Sequence, residues 1–133
     1  MSRALLVVVL AAWLIGCGSR PPDLMVVDRS GADPNANVEV LVNDGGSVEC
    51  NGTEHALDAD RLLTARRLVH DLEKQAELSI ELPRGPGTQL SYRVRMEAGT
   101  IAFSDRSEGI PPTFQRLAAF TKDVIEDVCG IQR

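Results

Sequence analysis

A chain of 133 residues with 44% hydrophobic and 25% charged side chains has room for one folded domain and no more. Its 14 basic against 19 acidic residues leave a formal charge of -5. With no long basic run to offset that balance, the electrostatic footprint of a nucleic-acid binder is missing.

Residues 1–16 do not read as part of that domain. Arg3 precedes the apolar run Ala4 to Ile15, which is 12 residues long, whereas a helix needs about 20 to cross a bilayer. The run therefore reads as the hydrophobic region of a signal peptide. The segment that follows it, Leu14-Ile-Gly-Cys17, closely resembles the bacterial lipobox. That resemblance implies a diacylglyceryl group on the Cys17 thiol, cleavage before Cys17, and acyl chains of the palmitate type holding the protein to a membrane. Two acyl chains suffice for stable anchoring where one is marginal. Removing residues 1–16, whose one charged side chain is Arg3, takes the formal charge from -5 to -6.

Residues 17–23 form a short tether in which Pro21 and Pro22 favour extended backbone. The domain is expected to span 24–133. Leu24 to Arg29 is its first candidate strand, and Gly31 to Asn37 a turn-rich loop. Val38 to Val42 and Ser47 to Asn51 then flank Asn43-Asp-Gly-Gly46, where Asp-Gly predicts a tight hairpin, with Asn51-Gly52 ending it. From Leu57 to Glu77 the apolar residues Leu62, Ala65, Leu68, Val69, Leu72 and Ala76 recur at helical spacing, and Asp58 or Asp60 can cap the helix.

Leu78 to Leu82 alternates and stops at Pro83, the pattern of a further strand. Leu90, Tyr92, Val94 and Met96 alternate with Ser91, Arg93, Arg95 and Glu97, which predicts a strand with one buried and one solvated face. Ala98-Gly99 turns the chain into a partner strand containing Ile101 and Phe103. A second helix runs from about Thr113 to Val128 along a stripe of Phe114, Leu117, Ala118, Thr121, Val124, Ile125 and Val128, with Pro111-Pro112 before it and Gly130 after. The fold class expected is α+β, an antiparallel sheet of about five to six strands with two helices packed on one face, in the order βββα-βββα.

With Cys17 assigned to lipid, Cys50 and Cys129 remain. In an oxidising compartment an even pair is most simply a disulfide. It would close a loop of roughly 80 residues and pin the last helix to the third strand. Two cysteines so far apart do not have the ligand spacing of a zinc site.

No motif for a cofactor or metal is present, and the chemistry-bearing residues are scattered. His55 falls in a loop and His70 on the first helix beside Asp71, neither near a nucleophile. The carboxylates of Asn43-Asp-Gly-Gly46 and Asp58-Ala-Asp60 lack the distal Glu of a calcium loop, and Arg84-Gly-Pro-Gly87 lacks the lysine of a phosphate loop. Arg93 and Arg95 stand in a row on the outward face of the second hairpin, a pattern suited to a carboxylate or a protein interface. Asp105 and Arg106, in the loop leading to Ile110, are a second candidate for partner binding.

The hairpin, helix, hairpin, helix layout, with Gly45-Gly46 early, Tyr92-Arg-Val94 in the second hairpin and Pro111-Pro112 opening the last helix, resembles in outline the emfourin family of small metalloprotease inhibitors. That resemblance implies inhibition of secreted thermolysin-like enzymes and carries over no inhibitory residue; the lipobox and the cysteine pair depart from the family pattern. The function expected is that of a lipid-anchored domain on the extracytoplasmic face of the cell membrane or outer membrane, an interaction module of the cell envelope with a protein partner and no enzymatic activity. The alternatives are an emfourin-like inhibitor and an enzyme whose site is not visible from sequence.

Overall fold

Six antiparallel strands form one sheet in the order β4-β3-β2-β1-β5-β6, and two helices cover one of its faces. The structure, a computed structural model, describes residues 22–133. The proposed signal peptide and Cys17 lie outside the described residues.

The strand that starts the domain, β1 (Asp23–Gly31), occupies the middle of the sheet, with β2 (Val38–Asn43) on one side and β5 (Leu90–Met96) on the other. Alternation decides which side chains go inward: Met25, Val27 and Arg29 of β1 are buried together with Val38, Val40 and Val42 of β2 and Tyr92 and Val94 of β5. Between β1 and β2 a short 3-10 turn, Pro34–Ala36, is capped by the Asp33 side chain.

The strand order differs from the expected one in two places. Asn51 (φ 48) and Gly52 (φ 83) both adopt left-handed backbone and join β3 (Ser47–Cys50) to an unforeseen fourth strand, β4 (Thr53–Ala56), at the sheet edge. Asn-Gly in a two-residue loop is the combination that suits such a hairpin. Conversely, Leu78 to Leu82 is not a strand. Ser79 turns back with φ 51, and the backbone of the segment then bridges to the sheet at one residue of β6 (Gly99–Ser104), through the Ala102 amide to the Ile80 carbonyl (3.0 Å) and the Leu82 amide to the Ala102 carbonyl (2.8 Å). Pro83 has no N–H with which to extend the ladder. Six strands and a one-sided helical layer are as expected, but distributed four and two about the first helix.

That helix, α1 (Ala59–Glu77), is capped by Asp58, whose side chain accepts the Arg61 amide at 3.0 Å. It buries Ala65, Leu68, Leu72 and Ala76. The second, α2 (Pro112–Asp123), buries Phe114, Leu117, Phe120 and Thr121, then widens into a π turn over Val124–Val128. The Cys129 amide closes that turn on the Val124 carbonyl at 2.9 Å. Tyr92, Phe103 and Phe114 stack in series, with ring centroids 4.9 and 5.0 Å apart, and bind the sheet to α2.

Three glycines answer to close approach, Gly31 against the Gln89 carbonyl being the first. A Cβ on Gly99, where φ is 147, would overlap the Ala76 carbonyl of α1, and one on Gly85 would overlap the Arg106 carbonyl. In the β2–β3 hairpin, the left-handed residue is Gly46 (φ 89), and Asn43 steadies the turn by accepting the Gly45 amide at 2.8 Å.

Candidate functional site

Opposite the helices, no element among the described residues covers the second face of the sheet. Outward positions on β1, β2 and β5 alternate with the buried ones, which places Asp28, Glu39, Arg93 and Arg95 side by side on this face. The Arg93 and Arg95 side chains are each 53% exposed, as the alternating pattern of β5 predicts.

Neither arginine stands alone. Arg95 Nη2 lies 3.2 Å from Asp28 Oδ2 and 3.7 Å from Glu39 Oε2, and Arg93 Nη2 lies 3.5 Å from Glu81 Oε1. The bridge of Leu82 and Ile80 to β6 is what brings Glu81 to this face. The face is therefore a lattice of alternating charge in which an incoming carboxylate must compete with three resident ones. Each exposed pair contributes little to stability. A hollow of about 330 Å³ lies over it, lined among others by Asp28, Glu81, Arg84, Ser91 and Arg93.

Asp105 and Arg106 do not line that hollow. Asp105 is held from two sides, its amide donating to the Leu90 carbonyl and its carboxylate accepting the Gln89 amide, both at 3.0 Å. The Ser107 hydroxyl accepts the Ser104 amide at 2.9 Å, and Gly85 packs on the Arg106 backbone, so the loop is braced rather than loose. The arginine row and this loop are thus separate features of one domain.

Cys50, inward-facing on β3, and Cys129, just past the π turn, sit at disulfide distance with Cα atoms 6.1 Å apart and 79 positions between them in sequence. His55 lies on the edge strand β4, and His70 is exposed on α1. Neither hydrogen-bonds a serine or cysteine among the described residues. Among the described residues no group of three or more His, Cys, Asp or Glu side chains gathers as metal ligands do, and no helix is long and apolar enough to cross a membrane.

Two features were not foreseen. Arg61 of α1 binds Asp58 (2.6 Å) and Asp123 (2.7 Å) and reaches Asp127 (3.5 Å), tying the start of α1 to the end of α2. The side-chain bond to Asp123, then that to Asp58, raises the Arg61 pKa, and Arg61 in turn holds the Asp123 and Asp58 carboxyls below their ordinary value. The second is Arg29, buried on the inward face of β1 at a position where alternation predicts an apolar residue. A charged side chain in an inward register was its signal in the sequence. No protein-family model, no curated protein and no solved structure matches this chain.

Proposed function

We propose that this chain is a lipid-anchored extracytoplasmic domain, held through Cys17 to the cell membrane or outer membrane, and that it acts as an interaction module of the cell envelope rather than as an enzyme. The observation that carries the reading is the uncovered sheet face with its fixed lattice of charge. There Asp28, Glu39, Glu54 and Glu81 outnumber Arg93 and Arg95, which suits a protein partner presenting a basic patch. The position of β1 supports the same reading. Asp23 follows Cys17 by six positions, and β1 carries the chain about 25 Å away from that point at the usual strand rise. The Asp105 loop stands at this far end, beside the Leu90 end of β5.

Two experiments test it. Replacing Cys17 with Ala is expected to abolish labelling by a fatty-acid probe and to leave unprocessed precursor; a variant still acylated and membrane-bound refutes the anchor. The full chain in a nonionic detergent should capture an envelope protein that is lost from the Glu39→Lys, Glu81→Lys variant and released by salt. A partner held equally well by that variant and by Arg93→Ala, Arg95→Ala excludes the sheet face.

A further inference from the structure

A buried charge without a counter-ion sits where β1 leaves the core. Arg29 is 4% exposed. Its Nε donates to the Ala36 carbonyl and its Nη2 to the Asn35 carbonyl, both at 3.0 Å, and no carboxylate among the described residues reaches ion-pair distance. Carbonyl dipoles solvate a guanidinium but do not neutralise it, and an uncompensated buried charge is costly. Burial draws the Arg29 pKa below its ordinary value; Tyr92 offsets this in part, Arg133 adds to it, and the more distant Glu126 and Asp33 offset it further only a little.

Beside Arg29 a cavity of about 370 Å³ opens between the sheet, α2 and the C-terminal segment. Lys122 and Arg133 join Arg29 in its lining, and Glu126 is the one acidic side chain among the lining residues. Tyr92 lines it too, 5% exposed, and its hydroxyl has no hydrogen-bond partner among the described residues. Leu90 and Ala118 supply apolar wall. The other arginine-lined hollows differ in kind: Arg93 is occupied by Glu81, Arg61 by Asp58 and Asp123, and Arg116 by Asp71, while Arg67 and Arg84 are exposed rather than buried.

We propose that this cavity binds a small organic carboxylate, its oxygens received by the Arg29 guanidinium and the Tyr92 hydroxyl, with Lys122 and Arg133 at the rim and its apolar body against Leu90 and Ala118. A buried guanidinium with donors left over is the group best shaped for a carboxylate. Glu126 repels a second negative charge, and the apolar wall rewards a hydrophobic body, so both disfavour inorganic phosphate. The site stands independently of the lipid anchor and of the opposite sheet face.

The test uses the full chain in a nonionic detergent, nitrogen-15 labelled and titrated by NMR with benzoate, benzamide and inorganic phosphate. Benzoate is expected to shift the Arg29 Nε signal and the Tyr92 and Lys122 amides, with a dissociation constant on the order of millimolar for so small a ligand. Benzamide, the uncharged isostere, should leave them in place. Arg29 also holds the turn at Pro34–Ala36, so its substitution would mix folding with binding. The rim variant Lys122→Gln, Arg133→Gln avoids this and should weaken benzoate by about fivefold or more with the rest of the spectrum preserved. Benzamide shifting the same signals as strongly, phosphate binding as tightly as benzoate, or a rim variant as tight as wild type would each overturn the proposal.

Discussion

Arg61 Nε and Asp123 Oδ2 meet at 2.7 Å across the gap between α1 and α2, and the same guanidinium holds the helix-capping Asp58 at 2.6 Å. One side chain thus links a helix start to a helix end that lies 62 positions away.

This network predicts an acid-side loss of stability. The Asp123 and Asp58 carboxyls titrate below their ordinary 3.8 when folded, because Arg61 stabilises the charged forms. Stability from such a group is complete above the unfolded pKa and lost as pH falls through the folded one. The melting temperature of wild type should therefore drop from about pH 4 downward, and that of Asp123→Asn less steeply. Parallel curves for the two proteins would show that Asp123 contributes nothing to acid sensitivity.

The cysteine pair predicts a crosslink. Mass spectrometry of the non-reduced protein should yield one peptide joining Cys50 to Cys129, and reduction should cost about 4 kcal/mol by the loop-entropy model. Free thiols at both positions would refute the bridge.

Position on the sheet predicts opposite outcomes for charge and core. Arg93→Ala with Arg95→Ala should change stability by no more than about 0.5 kcal/mol, since both side chains are half exposed and their pairs are solvated. Phe103→Ala or Leu117→Ala should cost roughly 2 to 5 kcal/mol, because Phe103 stacks between Tyr92 and Phe114 and Leu117 is fully buried. Urea titration distinguishes them. A large loss from the arginine pair would contradict a solvated outer face.

Gly99 predicts a backbone effect without any loss of contact. Gly99→Ala adds one methyl group at φ 147 against the Ala76 carbonyl, which must displace the end of α1 or the β5–β6 turn. A loss above about 1 kcal/mol is expected, with amide shifts at both places. A neutral substitution would mean that the turn relaxes freely.

How much of this was legible in the sequence depended on the range of the cause. Alternation in Leu90 to Met96 and helical spacing in Leu62 to Ala76 are local, and both elements formed as predicted. The Asn51-Gly52 hairpin was equally local. Its two-residue turn reads as an ending because Thr53 to Ala56 has little apolar content, being an edge strand that buries almost nothing. The alternation of Leu78 to Leu82 was misleading for the converse reason: a strand needs a neighbour along its length, and this segment reaches β6 only at Ala102. In the outer-face site, the exposure of Arg93 and Arg95 followed from period two. Their partners did not, since Glu81 arrives by a bridge from a distant segment. The cavity at Arg29 joins β1, β5 and α2, and no short window of sequence contains it.

The first strand of the domain, β1, has neighbours on both sides. β1 is registered with β2 and with β5 over most of its length, antiparallel to each. A force arriving from the residues before Asp23 therefore pulls along the strand and shears two ladders together. An edge strand such as β4 would instead peel away one hydrogen bond at a time. Were the domain held through Cys17 as proposed, a pull would be resisted by both ladders of β1 at once rather than by one hydrogen bond at a time.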